Sequence, residues 1–467
     1  MLPSSEATQN QGVITRVLDR APNGLFMTYA VLCSFMAYFS MYAFRKPFTA
    51  ATFEGDYWFG SDVGIKAVLA SSQIIGYAFS KVIGIKVCAE LKPSRRTAFL
   101  TGVILIAEGS LLVFGAVPDN WKFLPIAMNG LSLGVVWGVV ISYLEGRRTS
   151  EVLLAGLSCS YIMASGIVKD FGLAVMAGDG AAWWHGVPFL SQTVVKIAGP
   201  VSEGWMPFTV GLHYLPVFLI AIYLLRQIPR PSREDILTRS ERSTMDGRSR
   251  RQFFSRFALG MTILCAIYLL LTAYRDYRDT YLVDLFHALG YDNPSGTHSL
   301  LGNSETIVGF TVTAGLAMLY WLRKWLNQSG LLLVWLFMAS GLVTLGLGTW
   351  LFQTGSISGF SWMVVSGVGI YLTYVPFGSV LFDQIIAETH HVGTAVFAIY
   401  VCDSVGYGGT VALYFLNDIL FGNMDKLTFF TAFTWIIVAF GLVCLLVSYL
   451  YFQQKSREST TSEQGDS

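Results

Sequence analysis

Residues 25–52 read LFMTYAVLCSFMAYFSMYAFRKPFTAAT, a long apolar run followed by two adjacent cations, Arg45 and Lys46. A helix needs about 20 mainly apolar residues to cross a bilayer, and this run is long enough. A cation within the hydrocarbon costs about 2.5–3.5 kcal/mol on insertion scales, so it normally faces protein, water or a ligand. The alternative is that both side chains reach lipid headgroups from the helix end.

The rest of the chain is equally apolar. Of its 467 residues, 53% are hydrophobic and only 13% are charged, whereas a soluble domain carries roughly 25% charge. The sequence therefore predicts an integral, multi-pass membrane protein. A net charge of +1 argues against a nucleic-acid partner. Twelve segments qualify as membrane spans, near 25–46, 63–87, 97–117, 123–144, 152–176, 207–227, 257–281, 304–322, 331–352, 360–382, 392–416 and 428–452.

Basic residues are concentrated in alternate loops, which predicts the orientation of the chain. With the N-terminus placed in the cytoplasm, the cytoplasmic loops and tail hold most of the lysines and arginines outside the spans. These are Lys86, Lys92, Arg95, Arg96, Arg147, Arg148, Arg323, Lys324, Lys455 and Arg457. The opposite loops are richer in acids. We therefore expect a protein of the plasma (cytoplasmic) membrane with both termini in the cytoplasm.

Residues 228–256 are polar and rich in arginine, and they divide the twelve spans six and six. They predict a basic cytoplasmic linker, either against anionic lipid headgroups or simply solvated. The expected organisation is an N-terminal segment 1–24, a six-helix half 25–227, the linker 228–256, a six-helix half 257–452 and a tail 453–467. An all-α fold of two pseudo-symmetric six-helix halves is typical of the major facilitator superfamily.

A second cation, Lys81, lies well inside the second predicted span, in YAFSKVIG (77–84), 36 residues after Arg45. An intramembrane lysine is a functional candidate, although it can also reach the headgroups. Together with YAFRKPFTAA (42–51), this pattern resembles the organophosphate:phosphate antiporters, the glycerol-phosphate and hexose-phosphate transporter family. The resemblance extends through LKPSRRTAFLTGVIL (91–105), NGLSLGVVWG (129–138), SCSYIMASG (158–166) and VGTAVFAIYVCDSVGYGG (392–409).

The resemblance implies that Arg45 and Lys81 bind a phosphoryl group. A buried phosphate needs guanidinium and ammonium donors, and arginine is preferred for its two parallel hydrogen bonds. The family takes a second arginine from helix seven, for which Arg275 is the first choice and Arg278 the second. The remaining candidate binding residues are Lys46, Tyr42 and Tyr274, which are next to or near these arginines, and Tyr161, which stands where the relatives have a histidine.

Acidic residues near these cations are candidates for coupling or gating. Arg275 and Asp279 have i,i+4 spacing and are expected to pair, while Asp276 is expected to turn away from Arg275. Asp403 lies inside the eleventh predicted span. It either holds a proton, pairs with Arg275 or Arg278, or hydrogen-bonds to a serine across a helix interface.

These features predict a secondary transporter of a small anionic solute, phosphorylated or otherwise acidic, working by alternating access in exchange for phosphate or with protons. The alternative is a non-transporting solute sensor that signals through a partner. The sequence has no Walker motif, metal-ligand spacing or nucleophile motif, so we expect neither an enzyme nor a bound cofactor or metal. The expected partners are the solute and membrane lipids, and the expected state is a monomer.

Overall fold

The computed structural model describes residues 12–144, 147, 150–178, 199–229, 255–291, 300–326, 330–389, 395–421 and 424–465. Most of the predicted linker lies outside this part of the chain. The described α-helices are α1 Val13–Asp19, α2 Asn23–Arg45, α3 Ile65–Glu90, α4 Arg96–Ala116, α5 Phe123–Leu133, α6 Val136–Leu144, α7 Ser150–Ala177, α8 Met206–Arg226, α9 Ala258–Thr280, α10 Leu282–Ala288, α11 Leu300–Leu326, α12 Gly330–Gln353, α13 Gly359–Ser379, α14 Leu381–Thr389, α15 Ala395–Phe421 and α16 Lys426–Gly465.

The twelve-helix, all-α architecture predicted from the sequence is confirmed. Within the described residues, 11 helical segments are long and apolar enough to cross a membrane. The remaining predicted span, near 392–416, folds as the 27-residue helix α15, which carries Asp403 and Asp418. Helices dominate because a lipid environment offers no hydrogen bonds, so the backbone must satisfy its own polar groups.

Glycines allow the helices of the first half to approach closely. A Cβ added at Gly76 of α3 would lie 2.0 Å from the Ala127 carbonyl oxygen of α5. A Cβ at Gly134, between α5 and α6, would lie 2.6 Å from the Tyr77 carbonyl oxygen of α3. Only glycine permits this contact, as small residues do in many membrane bundles. The approach brings α3 alongside α5 and α6.

The chain forms two compact units. The first comprises the described residues of Met1–Phe48 and Gly76–Ser240, and the second those of Thr49–Ile75 and Glu241–Ser467. In the first unit, α2 packs against α7 and α8, and α4 packs against α5 and α8. In the second, α9 packs against α15 and α16, and α12 packs against α13. The sequence-based halves 25–227 and 257–452 stay a prediction.

An ionic cluster attaches the 49–75 segment to the other helices of the second unit. Lys66 of α3 lies 2.6 Å from Asp284 of α10, and Lys426 of α16 pairs with the same carboxylate. The Asp418 carboxylate accepts a hydrogen bond from the Gly64 backbone N–H at 3.0 Å. Burial alone would raise the pKa of Asp284, but the two lysines outweigh burial and hold it below its ordinary value.

Candidate functional site

The last three turns of α2 place aromatic rings and a guanidinium on one face. Tyr38, Tyr42 and Arg45 are spaced i, i+4 and i+7, which aligns their side chains along the helix. Arg45 is 5% exposed. Its guanidinium carbon lies 5.6 Å from the centre of the Tyr42 ring and 4.0 Å from the centre of the Tyr77 ring. This is cation–π geometry, in which the ring faces partly compensate a cation that has left water.

Helix α3 brings the second cation to the same ring. Tyr77 and Lys81 are one helical turn apart, and the Lys81 ammonium lies 5.6 Å from the Tyr77 ring centre. The phenol groups of Tyr38 and Tyr77 are 3.4 Å apart. Arg45 of α2 and Lys81 of α3 thus both lie near the ring of Tyr77, which is itself on α3.

Two further rings from α6 and α7 extend this group. Trp137 packs edge-on against Tyr38 at 4.7 Å, and Tyr161 packs edge-on against Trp137 at 6.0 Å, measured between ring centres. Lys81, Trp137 and Tyr161 are partly exposed, whereas the α2 residues are buried. We call this group the cationic aromatic cluster; it comprises Tyr38, Tyr42, Arg45, Tyr77, Lys81, Trp137 and Tyr161.

Lys46 follows Arg45 at the end of α2, where its backbone N–H donates to the Tyr42 carbonyl at 2.9 Å. Lys46 is 6% exposed, as buried as Arg45. Side chains that reach lipid headgroups leave their charged ends exposed. The burial of Arg45 and Lys46 therefore favours the interpretation that they face the protein interior over the interpretation that they anchor α2 at the headgroups.

In the second unit, Arg275 pairs with its sequence neighbour. The guanidinium of Arg275 donates to Asp276 at 2.8 Å and lies 4.3 Å from the Tyr374 ring centre. The expectation that Asp276 turns away from Arg275 is therefore wrong, while the pairing of Arg275 with Asp279 stays a prediction. Adjacent helical residues diverge by about 100°, but the long arginine side chain reaches back to the neighbouring carboxylate. Asp279 itself is buried.

Arg278, the second-choice arginine, lies in a fully buried ion pair. It donates to Glu305 of α11 at 2.7 Å and to the Met363 carbonyl of α13 at 2.8 Å. Both side chains of the Arg278–Glu305 pair are 2% exposed. This arginine joins three helices of the second unit and is already neutralised. Of the two α9 arginines, Arg275 is thus the one whose side chain is partly exposed, at 14%.

Asp403 accepts a hydrogen bond across the interface of α9 and α15. The Tyr268 hydroxyl lies 2.5 Å from the Asp403 carboxylate and 3.0 Å from the Tyr374 hydroxyl. The sequence offered a hydrogen bond to a serine across an interface as one alternative; the structure has such a bond, but its donor is a tyrosine. Because Tyr374 also covers Arg275, a chain of contacts connects Arg275 to Asp403.

Tyr274, a candidate binding residue because it precedes Arg275 in the sequence, lies in a helix interface. Its side chain is fully buried, its ring stacks on Phe430 at 4.6 Å, and its hydroxyl lies 2.9 Å from the Thr434 hydroxyl. Adjacent residues on a helix point in different directions, so a position next to Arg275 in sequence does not place Tyr274 beside it in space. Tyr274 is a packing residue between α9 and α16.

Several residues of these clusters were not predicted as site residues from the sequence. Tyr38 could have been predicted from the sequence, because it precedes Tyr42 by four residues and so lies on the α2 face that carries Arg45. Trp137, Tyr374 and Glu305 come from other helices, and no local pattern links them to the cations. Within the described residues, no group of three or more His, Cys, Asp or Glu side chains could hold a metal ion.

Comparison with known protein families shows which family the chain belongs to. The chain belongs to the family described as "Family of unknown function (DUF5690)", which matches residues 47–455. A search of curated proteins gives no match.

Solved structures of transporters share the fold. Nucleoside transporter NupG is 14% identical, with 92% of this chain and 98% of that chain covered and a TM-score of 0.54. A D-xylose-proton symporter is 12% identical, with 91% and 96% covered and a TM-score of 0.55. A bacterial homologue of the human lysosomal transporter Spinster is 13% identical, with 93% and 98% covered and a TM-score of 0.55. The chain therefore has a major facilitator fold.

The Arg275–Asp276 pair gives a prediction for the second unit. An anion that binds Arg275 must displace Asp276, whose charge-assisted hydrogen bond is worth about 1.5 kcal/mol. We expect Asp276→Asn to bind inorganic phosphate or a phosphate ester roughly tenfold more tightly, yet to exchange it more slowly, because release leaves the arginine without its carboxylate. Titration of the purified variant and exchange rates in vesicles measure both effects.

Asp279→Asn is the matched comparison, since it removes a buried carboxylate from the same helical turn of α9. We expect it to change anion affinity less than Asp276→Asn does. If Asp279→Asn instead gives the tighter binding and Asp276→Asn has no effect, Asp276 does not compete with the solute for Arg275.

Proposed function

We propose that the protein is a secondary transporter of a small anionic organic solute, a phosphorylated or otherwise acidic metabolite, which it moves by alternating access. The observation that carries the proposal is the meeting of Arg45 and Lys81 at the Tyr77 ring. A membrane protein gains little stability from bringing two like charges to one ring. An anion bound between the two cations would be attracted by both charges, which gives their proximity a functional reason.

The chemistry of the two cations fits a phosphoryl or carboxyl group. A guanidinium presents two parallel N–H donors that match two oxygens of such a group, and an ammonium adds a compact second charge. The rings of Tyr42 and Tyr77 lie against the buried Arg45, and the low dielectric of this environment strengthens its attraction for an anion relative to water. The antiporter resemblance implies phosphoryl binding by the same two residues, Arg45 and Lys81.

The fold alone does not indicate that the solute is an anion. Its structural neighbours are named as transporters of nucleosides and of D-xylose. These solutes carry no negative charge, so binding them does not require the cations of the cationic aromatic cluster. The cluster is therefore the basis for an anionic solute, and the resemblance to the organophosphate antiporters is the basis for a phosphate ester. Exchange against phosphate and coupling to protons are both compatible with these residues.

The test is counterflow with purified protein in liposomes loaded with unlabelled solute. We expect labelled phosphate, phosphate esters or carboxylates to accumulate, and labelled xylose or a nucleoside not to. Accumulation of only the neutral solutes would overturn the proposal. Binding of an anion in a thermal-shift screen, with no counterflow of that anion, would instead identify a sensor.

A further inference from the structure

Glu108 lies in the middle of α4, and neither the cationic aromatic cluster nor the second-unit contacts use it. The residue is 6% exposed. Helix α4 is one of the membrane-spanning segments and packs against α2, α5, α6 and α8 of the first unit. Both carboxyl oxygens are buried, and neither has a hydrogen-bond partner among the described residues.

The carboxyl group lies directly on the backbone of α8. A Cβ added at Gly211 would lie 2.1 Å from the Oε2 atom of Glu108 and 3.1 Å from the ring of Phe44. Glycine is thus the residue that leaves room for the carboxyl group at this position. The α8 backbone at Gly211 and the ring of Phe44 therefore lie near this carboxyl group, and neither gives it a hydrogen bond.

The groups that could neutralise Glu108 are on the elements packed against α4. Their charged or titratable members are Tyr29, Cys33, Tyr38, Tyr42 and Arg45 on α2 with Lys46 after it, Lys122 before α5, Tyr143 on α6, and His213, Tyr214, Tyr223 and Arg226 on α8. None of these residues donates a hydrogen bond to either Glu108 oxygen, in the part of the chain that the structure describes.

A second buried glutamate shows how this protein holds an ionised carboxylate. Glu305 of α11 is buried as deeply, but it accepts a 2.7 Å hydrogen bond from the Arg278 guanidinium. An ionised carboxylate without such a partner is far more costly in a dry interior than a neutral carboxylic acid is. Glu305 therefore fits the charged form, and Glu108 fits the neutral form.

We propose that Glu108 is a proton-binding site, occupied by a proton in the state described here. The carboxylic acid form fits the space against Gly211 without a counter-charge. The proton leaves when rearrangement of α4 against α8 admits water to the carboxyl group. That release would couple solute movement to protons, a step that rests on the proposed transport function. The occupancy of the site by a proton does not rest on it.

The matched variants are Glu108→Gln and Glu305→Gln, since both remove a carboxyl group from a buried glutamate and leave a neutral side chain of similar shape. If Glu108 is protonated, its glutamine variant keeps the thermal unfolding midpoint of the parent protein at neutral pH. Glu305→Gln leaves Arg278 without its carboxylate, so its midpoint falls. Equal loss of stability in both variants would overturn the proposal.

Infrared spectroscopy measures the proton itself. We expect the parent protein and Glu305→Gln at neutral pH to show a carbonyl stretch of a protonated carboxyl group that is missing from Glu108→Gln. An unchanged band in Glu108→Gln would show that Glu108 is ionised and would overturn the proposal.

Uptake into vesicles with an imposed pH gradient then tests coupling. We expect the gradient to stimulate the parent protein and not Glu108→Gln. Stimulation that persists in Glu108→Gln would remove the coupling role. A parent protein that transports nothing would contradict the proposed function, while the infrared result would stand on its own.

Discussion

Replacing Arg45 with lysine is expected to weaken the binding of phosphate or a phosphate ester about ten- to a hundredfold, although the positive charge is kept. The ammonium loses one of two parallel charge-assisted hydrogen bonds, which is worth about 1.5–3 kcal/mol. It also loses the contact between the guanidinium and the Tyr77 ring, whose centre lies 4.0 Å from the guanidinium carbon. Titration of the purified variant with phosphate measures the loss.

Arg96→Lys is the matched control for this substitution. The Arg96 guanidinium also lies over a tyrosine ring of the first unit, 5.4 Å from the centre of Tyr143, and donates to the Ser142 carbonyl at 2.9 Å. It is not part of the cationic aromatic cluster, so its replacement should leave anion affinity unchanged. Equal affinity of Arg45→Lys and the parent protein would mean that Arg45 does not grip the anion through its guanidinium geometry.

A larger loss is expected when Lys81 is removed as well. Arg45 and Lys81 meet at one ring, so an anion bound there interacts with both charges. If the two cations act on the same anion, the double variant Arg45→Lys/Lys81→Ala will not show the simple sum of the two single effects. Strict additivity would indicate that the two cations bind independently.

The helices of this protein were predictable because each depends on a local property of the sequence. A span of about 20 apolar residues must fold as a helix in lipid, whatever its neighbours. The predicted segment 331–352, for example, folds as Gly330–Gln353. Breaks in the helix within a predicted span were harder to predict. The span 123–144 is interrupted at Gly134, and the reason for glycine there is the close approach of α3, which the local sequence pattern does not show.

The candidate site was only partly predictable, because its contacts come from several helices. Arg45 and Lys81 stand out as cations in apolar segments, and the spacing between them carries the resemblance. The partners of Arg275 depend on which rotamer its long side chain adopts, so helical spacing did not predict the contact with Asp276 that the structure has. Glu305 follows Arg278 by 27 residues, and its role required knowledge of how α9 and α11 pack.

The Arg278–Glu305 pair should be the most sensitive point of the second unit. Arg278→Gln leaves a buried carboxylate without its cation, and breaking such a pair by removing one partner costs about 3–5 kcal/mol. We expect a large drop in the thermal unfolding midpoint of Arg278→Gln in detergent. Glu305→Gln should cause a similar drop, because it leaves the buried guanidinium with the Met363 carbonyl and Ser366 as its remaining partners.

The double variant Arg278→Gln/Glu305→Gln distinguishes a structural pair from a solute-binding arginine. With both charges gone, no uncompensated charge remains buried, so most of the lost stability should return. Anion affinity in this double variant should stay near that of the parent protein, because Arg275 and the cationic aromatic cluster are untouched. If stability returns but anion binding is lost, Arg278 contributes to anion binding as well as to stability. If the two single losses simply add in the double variant, the two side chains do not stabilise each other.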